Sequence, residues 1–172
     1  MPRIPLPDQG SMTPEQRHVY DAIGNLRGGH VPMPYRAALH SPELADKWQQ
    51  IGELLRYRTS VPLRLSELAI LVVAHYHGCQ YMWKAHQPVA LKAGVGGDAV
   101  AAIESGQQPQ FQMADEQAVY DYSAELLKTH FVTEASHARA LAVLGTTGLV
   151  ELTALMGYYV MVAMTLNAHD LG

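Results

Sequence analysis

The chain has 172 residues, 48% of them hydrophobic and 16% charged, with a formal net charge of −4, which is enough to close one hydrophobic core. No block of Lys and Arg is present, so a nucleic-acid surface is excluded, and the one cysteine, Cys79, excludes an internal disulfide. The first seven residues, MPRIPLP, lack the apolar run of a secretory signal, and a cytoplasmic, reducing setting is expected.

Three prolines among the first ten residues predict an extended arm over 1–12, with a single helical domain over 13–172. Thr13, Pro14 and Gln16 form a capping-box pattern that opens a first helix ending near Gly28 and Gly29. The stretch from Val31 to Pro34 reads as a loop. Ser41, Pro42 and Glu43 open a second helix that runs to about Thr59, and Pro62 separates it from a third, Leu65 to His77, capped near Ser66. Gly78 ends or kinks that helix before a fourth from Cys79 to about Ala93. Asp98 is expected to cap a short helix reaching Ser105, followed by a loop to Met113. Helices over Ala114 to His130, Glu134 to Leu144 and Thr146 to Asn167 complete an all-α fold, since no alternating strand pattern occurs. The most apolar run, Leu149 to Leu166, is interrupted by Glu151, Thr153, Gly157, Tyr158, Tyr159 and Thr165. It reads as a core or subunit-contact helix, and no membrane association is expected.

An ungapped offset of 72 residues aligns Ser41, Trp48 and Glu53 to Arg56 with Met113, Tyr120 and Glu125 to Lys128. The same offset sets Glu67, Cys79 and His86 opposite Arg139, Glu151 and Tyr158, so an internal duplication would place the candidate chemistry in the first copy alone. Chance similarity of two amphipathic helices is the competing explanation.

That chemistry lies between residues 67 and 86, where a carboxylate, a thiol and an imidazole share an otherwise apolar helical run. On an unbroken helix His75, Cys79, Met82 and His86 fall within an arc of roughly 60°, with Glu67 near its edge. A kink at Gly78 would alter this projection and put Cys79 at a helix N-terminus, where the dipole lowers a thiol pKa. Each residue also has a plain structural explanation. A lone Cys is commonly a small core hydrophobe, Glu67 suits a first helical turn, and His86 and Trp83 suit an amphipathic core. His75 and His77 face different directions on a helix, so no metal site is expected.

Glu67, Cys79 twelve residues on and His86 seven further, within ELAILVVA…GCQYMWKAH…ALKAGV, resemble the carboxymuconolactone decarboxylase family, which includes the alkyl hydroperoxidase AhpD. The resemblance covers about residues 35 to 170. It implies an AhpD-like helical bundle, a homo-oligomer (trimer or hexamer), and catalytic roles for Glu67 and His86 as proton relay and for Cys79 as the first cysteine of a C-x-x-C pair. Met82 stands where the second cysteine would be, and Tyr81 where the AhpD motif has an additional histidine. A thioether cannot close a disulfide, so the two-thiol peroxidase cycle is closed to this chain alone.

The resemblance therefore implies a cofactor-free, acid/base lyase acting on a small lactone or related carboxylic acid, with Glu67 and His86 handling the proton. His75, Met82 and Trp83 are further candidates to contact substrate, and Arg56, Arg58, Arg64 and Lys84 to hold its carboxylate. The alternatives are a peroxidase cycling Cys79 through a sulfenic acid with an external thiol, and a non-catalytic helical oligomer that binds a small ligand.

Overall fold

The computed structural model describes residues 2–172, and its described residues form helices without strands. The helices are α1 Pro14–Asn25, α2 Met33–Ala38, α3 Pro42–Tyr57, α4 Leu63–Tyr76, α5 Gln80–Ala93, α6 Gly97–Glu104, α7 Ala114–Thr129 and α8 Glu134–His169. Residues 2–13 are non-helical; at the end of α8 the Arg3 amide donates to the His169 carbonyl at 2.9 Å, and further on the Pro5 carbonyl meets His40 and Gln9 meets Tyr20. Met1, the first residue of the expected arm, lies outside the described residues.

The middle of the fold is α4, whose ten residues Leu65 to Ala74 are all buried. A helix that is apolar on every side must be covered on every side, and α4 packs against α5, α6, α7 and α8. Burying one Leu or Ile of that run contributes about 1.5–3 kcal/mol. The buried residues of the second half of α8, Leu149, Leu152, Leu155, Met156, Val162, Ala163 and Leu166, supply much of the cover. By length and composition α8 would cross a membrane, but half of its most apolar window is buried within the protein, as befits a core helix.

Several local expectations need correction. Residues Val31 to Pro34 do not stay a loop: Met33 begins α2, with Pro32 at the N-cap and Pro34 inside the first turn, where a missing N–H costs nothing. Ser41 precedes α3 without a side-chain cap bond, and Ser66 donates to the Leu63 carbonyl within α4 rather than capping it. Gly96 caps α6, and Asp98 sits in its first turn, where its charge suits the dipole. The capping box at Thr13 and Gln16 is present as read. So is the interruption near residue 145, where Gly145 takes φ 66° and ψ 175°, a conformation closed to residues with a side chain. The boundaries of α3 and α7 lie 72 residues apart at both ends, the offset of the sequence repeat.

Candidate functional site

Glu67 projects from the buried α4 and is 1% exposed, and a carboxylate so placed must be paired. Its Oε2 lies 2.6 Å from His86 Nδ1 on α5, and its Oε1 lies 3.7 Å from Arg56 Nη2 on α3. With Glu67 ionised, Nδ1–H is the donor, which fixes the tautomer and leaves Nε2 as an acceptor. The imidazole stands edge-on to Tyr159 of α8, ring centres 5.0 Å apart at 88°. Burial works against the Arg56 charge, but its neighbours, the Glu67 carboxylate among them, outweigh it and hold its pKa above the ordinary value. Burial pushes the Tyr159 hydroxyl pKa well up, so it stays a neutral donor.

His86, Arg56 and Tyr159 edge a cavity of about 230 Å³, lined on the α5 side by Met82, Ala85 and His86 and on the α8 side by Tyr158, Tyr159 and Val162. Arg56 closes one wall, and the stretch before and within α2 closes the rest through Arg27, His30, Pro32, Pro34 and Tyr35. Sites for drug-sized ligands run to about 300–1,000 Å³, so this one suits a smaller molecule.

The candidates named from sequence separate into two groups. Glu67 and His86 meet, and Met82 joins His86 in the cavity wall, with Glu67 behind it. Cys79 does not: it is the N-cap of α5, 1% exposed, and borders a different depression with Leu166, Asn167 and Asp170. The expected lowering of its pKa is reversed, because burial raises it more than the Tyr81 and Met82 amides lower it. His75 stays on α4 and borders a different depression, next to Gly106, while the turn at His77 and Gly78 folds α5 back on α4, so the stripe projected for one straight helix does not form. Trp83 is buried outside the cavity. Of the four cations, only Arg56 lines it. Arg58 pairs with Glu53 at 3.7 Å, and Arg64 pairs with Asp115 and Glu116 at 2.6 and 2.7 Å. Among the described residues no cluster of His, Cys, Asp or Glu suited to a metal occurs.

Sequence reasoning missed Arg27, Tyr35 and the place of Tyr158 and Tyr159. Tyr35 and Tyr158 hydroxyls lie 2.5 Å apart, and Arg27 Nη2 donates to the Tyr35 oxygen at 3.3 Å. One signal existed for Tyr158, which the 72-residue offset sets opposite His86. Nothing local marked Arg27 or Tyr35.

Residues 42–125 match the model of the Carboxymuconolactone decarboxylase family. No curated protein matches the chain in sequence. Among solved structures, an uncharacterised peroxidase-related protein from Ralstonia eutropha JMP134 with an alkylhydroperoxidase AhpD core is similar at TM-score 0.79 and 15% identity, over 99% of this chain and 91% of that one. A peroxidase-related protein from Silicibacter sp. TM1040 gives TM-score 0.77 and 15% identity, over 98% and 90%. The debrominase Bmp8 in complex with 2,3,4-tribromopyrrole gives TM-score 0.74 and 16% identity, over 96% and 88%. The fold is thus AhpD-like.

Proposed function

Taking as premise that the chain belongs, through residues 42–125, to the carboxymuconolactone decarboxylase family, we propose that it is a cofactor-independent lyase acting on a small lactone or related carboxylic acid. The observation that carries this is the buried Glu67–His86 pair, which leaves His86 Nε2 to carry a proton beside a small cavity and, once protonated, to act as general acid. In the reaction, the bond from a ring carbon to a carboxylate breaks and CO2 leaves. The electron pair passes through the ring on to the lactone carbonyl oxygen, and a proton from protonated His86 quenches the resulting enolate at carbon. Glu67 orients the imidazole and stabilises its cationic form, as acid/base pairs of this kind do for about 10²–10⁴ in rate.

The single-cysteine peroxidase is the second reading, favoured by Cys79 and by the peroxidase-related structural neighbours. Against it stand the burial of the sulfur, its raised pKa and its place outside the cavity, since the thiolate is the reactive form. The two are separated by measuring CO2 release from lactone acids together with thiol-dependent hydroperoxide turnover. Glu67→Gln and His86→Ala are expected to lower CO2 release by about 10²–10⁴, and Cys79→Ala to leave it unchanged. Loss of all activity in Cys79→Ala, with retention in His86→Ala, sinks the lyase.

Homo-oligomerisation belongs to the same proposal. Thr147, Val150, Ala154, Gly157, Met161 and Met164 are exposed along α8 at alternating spacings of three and four, the seam pattern of helix pairing.

A further inference from the structure

The Tyr35 and Tyr158 hydroxyls are 6% and 7% exposed at residue level and together carry two protons. One proton closes their mutual hydrogen bond. Arg27 only donates to the Tyr35 oxygen, so one O–H is left without an acceptor among the described residues, in a pair that lines the cavity. A buried donor without an acceptor costs free energy, and burial keeps Tyr158 protonated, so it does not escape by ionising.

The rest of the surroundings point the same way. Arg27 lies over the Tyr35 ring at 4.8 Å and has no carboxylate partner among the described residues. The Tyr159 ring, whose hydroxyl has no hydrogen-bond partner among them, neighbours both Tyr158 and the base, its centre 5.2 Å from that of Tyr158 and 5.0 Å from that of His86. From below, α3 holds the pair: Trp48 meets both rings edge-on at 5.7 and 6.4 Å, and at Gly52 a Cβ would fall 2.6 Å from the Tyr35 oxygen. A glycine inside a helix is unfavourable by itself, and here it leaves room for the two hydroxyls.

We propose that the Tyr35–Tyr158 pair with Arg27 forms an anion subsite of the cavity, which receives a carboxylate that the substrate keeps through the reaction and so turns its reacting ring toward His86. This deepens the lyase reading and rests on it for the word substrate, but the subsite is testable by binding alone. The probe is 2-furoate, a flat five-membered ring acid, titrated calorimetrically beside its uncharged ester methyl 2-furoate. The native protein is expected to prefer the acid by about tenfold, and Arg27→Gln and the double variant Tyr35→Phe/Tyr158→Phe to lose that preference. Loss in either folded variant supports the subsite. Equal binding of acid and ester by the native protein, no binding of the acid, or an unchanged preference in both variants overturns it. A protein that prefers the acid and yet releases no CO2 from any lactone acid removes the lyase reading and leaves the subsite standing.

Discussion

A carbon added at position 52 would strike both tyrosine hydroxyls, 2.6 Å from that of Tyr35 and 2.9 Å from the Tyr158 ring carbon. Gly52→Ala gains about 1 kcal/mol of helix propensity and incurs about 1–3 kcal/mol of overpacking, so it is expected to lower stability in urea denaturation. Combined with Tyr158→Phe, which vacates part of that space, the loss should be smaller than the sum of the two single changes. At Cys79 the expectation is kinetic. Its pKa is raised above the ordinary 9.0 by burial, so alkylation by iodoacetamide at neutral pH should be slower than for a free cysteine, and a rate equal to or above the free value contradicts the assigned environment. Glu67 and His86 were legible through the family resemblance and not through spacing: nineteen residues on one straight helix lie about 28 Å apart, and the two meet because the chain turns back at Gly78. Gly52, Arg27 and Tyr35 have meaning only through contacts with residues far along the chain, which periodicity does not encode.

Between elements, one carboxylate fastens the link from α3 to α4 on to α8. Glu151 accepts from the Thr59 hydroxyl at 2.8 Å, the Ser60 amide at 2.6 Å and the Ser60 hydroxyl at 2.7 Å. That link is short, and it sets Arg56 at the end of α3 against Glu67 in α4. The Ser60 hydroxyl and amide, then Thr59, hold the Glu151 carboxyl below its ordinary 4.5. A depressed folded value means that the stabilisation is complete above about the unfolded value and fades as pH falls through the folded one. Glu151→Gln should therefore be less stable than the native chain near neutral pH, with the difference in urea midpoint narrowing in acid. A difference that stays constant with pH would show that ionisation plays no part. Helix boundaries were readable wherever glycine, proline or a capping box punctuated the chain, as at Thr13, Gly94 and Gly145. The short α2 escaped because its prolines fit a loop and a first helical turn equally well. The shared face of His75, Cys79 and His86 failed because it assumed one straight axis, whereas the turn at Gly78, φ 58°, reverses the chain.

For the molecule as a whole, the uncovered seam on α8 is the feature to test. Val150 and Met164 are 64% and 59% exposed, and Val150→Lys with Met164→Lys should lower the mass found by light scattering if that face meets another copy. The same mass for the native and doubly substituted chains would place any contact elsewhere. The all-α class follows from composition and periodicity alone, because no segment alternates with period two. The cavity did not follow, since its walls come from α2, α3, α5 and α8 together with the α1–α2 connection, and only the packed core brings these into register.

Met82 occupies the cavity wall beside His86, and its sulfur has a consequence for oxidant damage. A hydroperoxide entering there meets a thioether: one oxygen passes to sulfur, the alcohol departs, and the wall acquires a polar sulfoxide that no thiol in the chain is placed to reduce. If the protein is the proposed lyase, peroxide acts on it as a slow poison of the pocket. Replacement by the isosteric Met82→Leu should confer resistance, and a methionine sulfoxide reductase should restore the native protein after exposure.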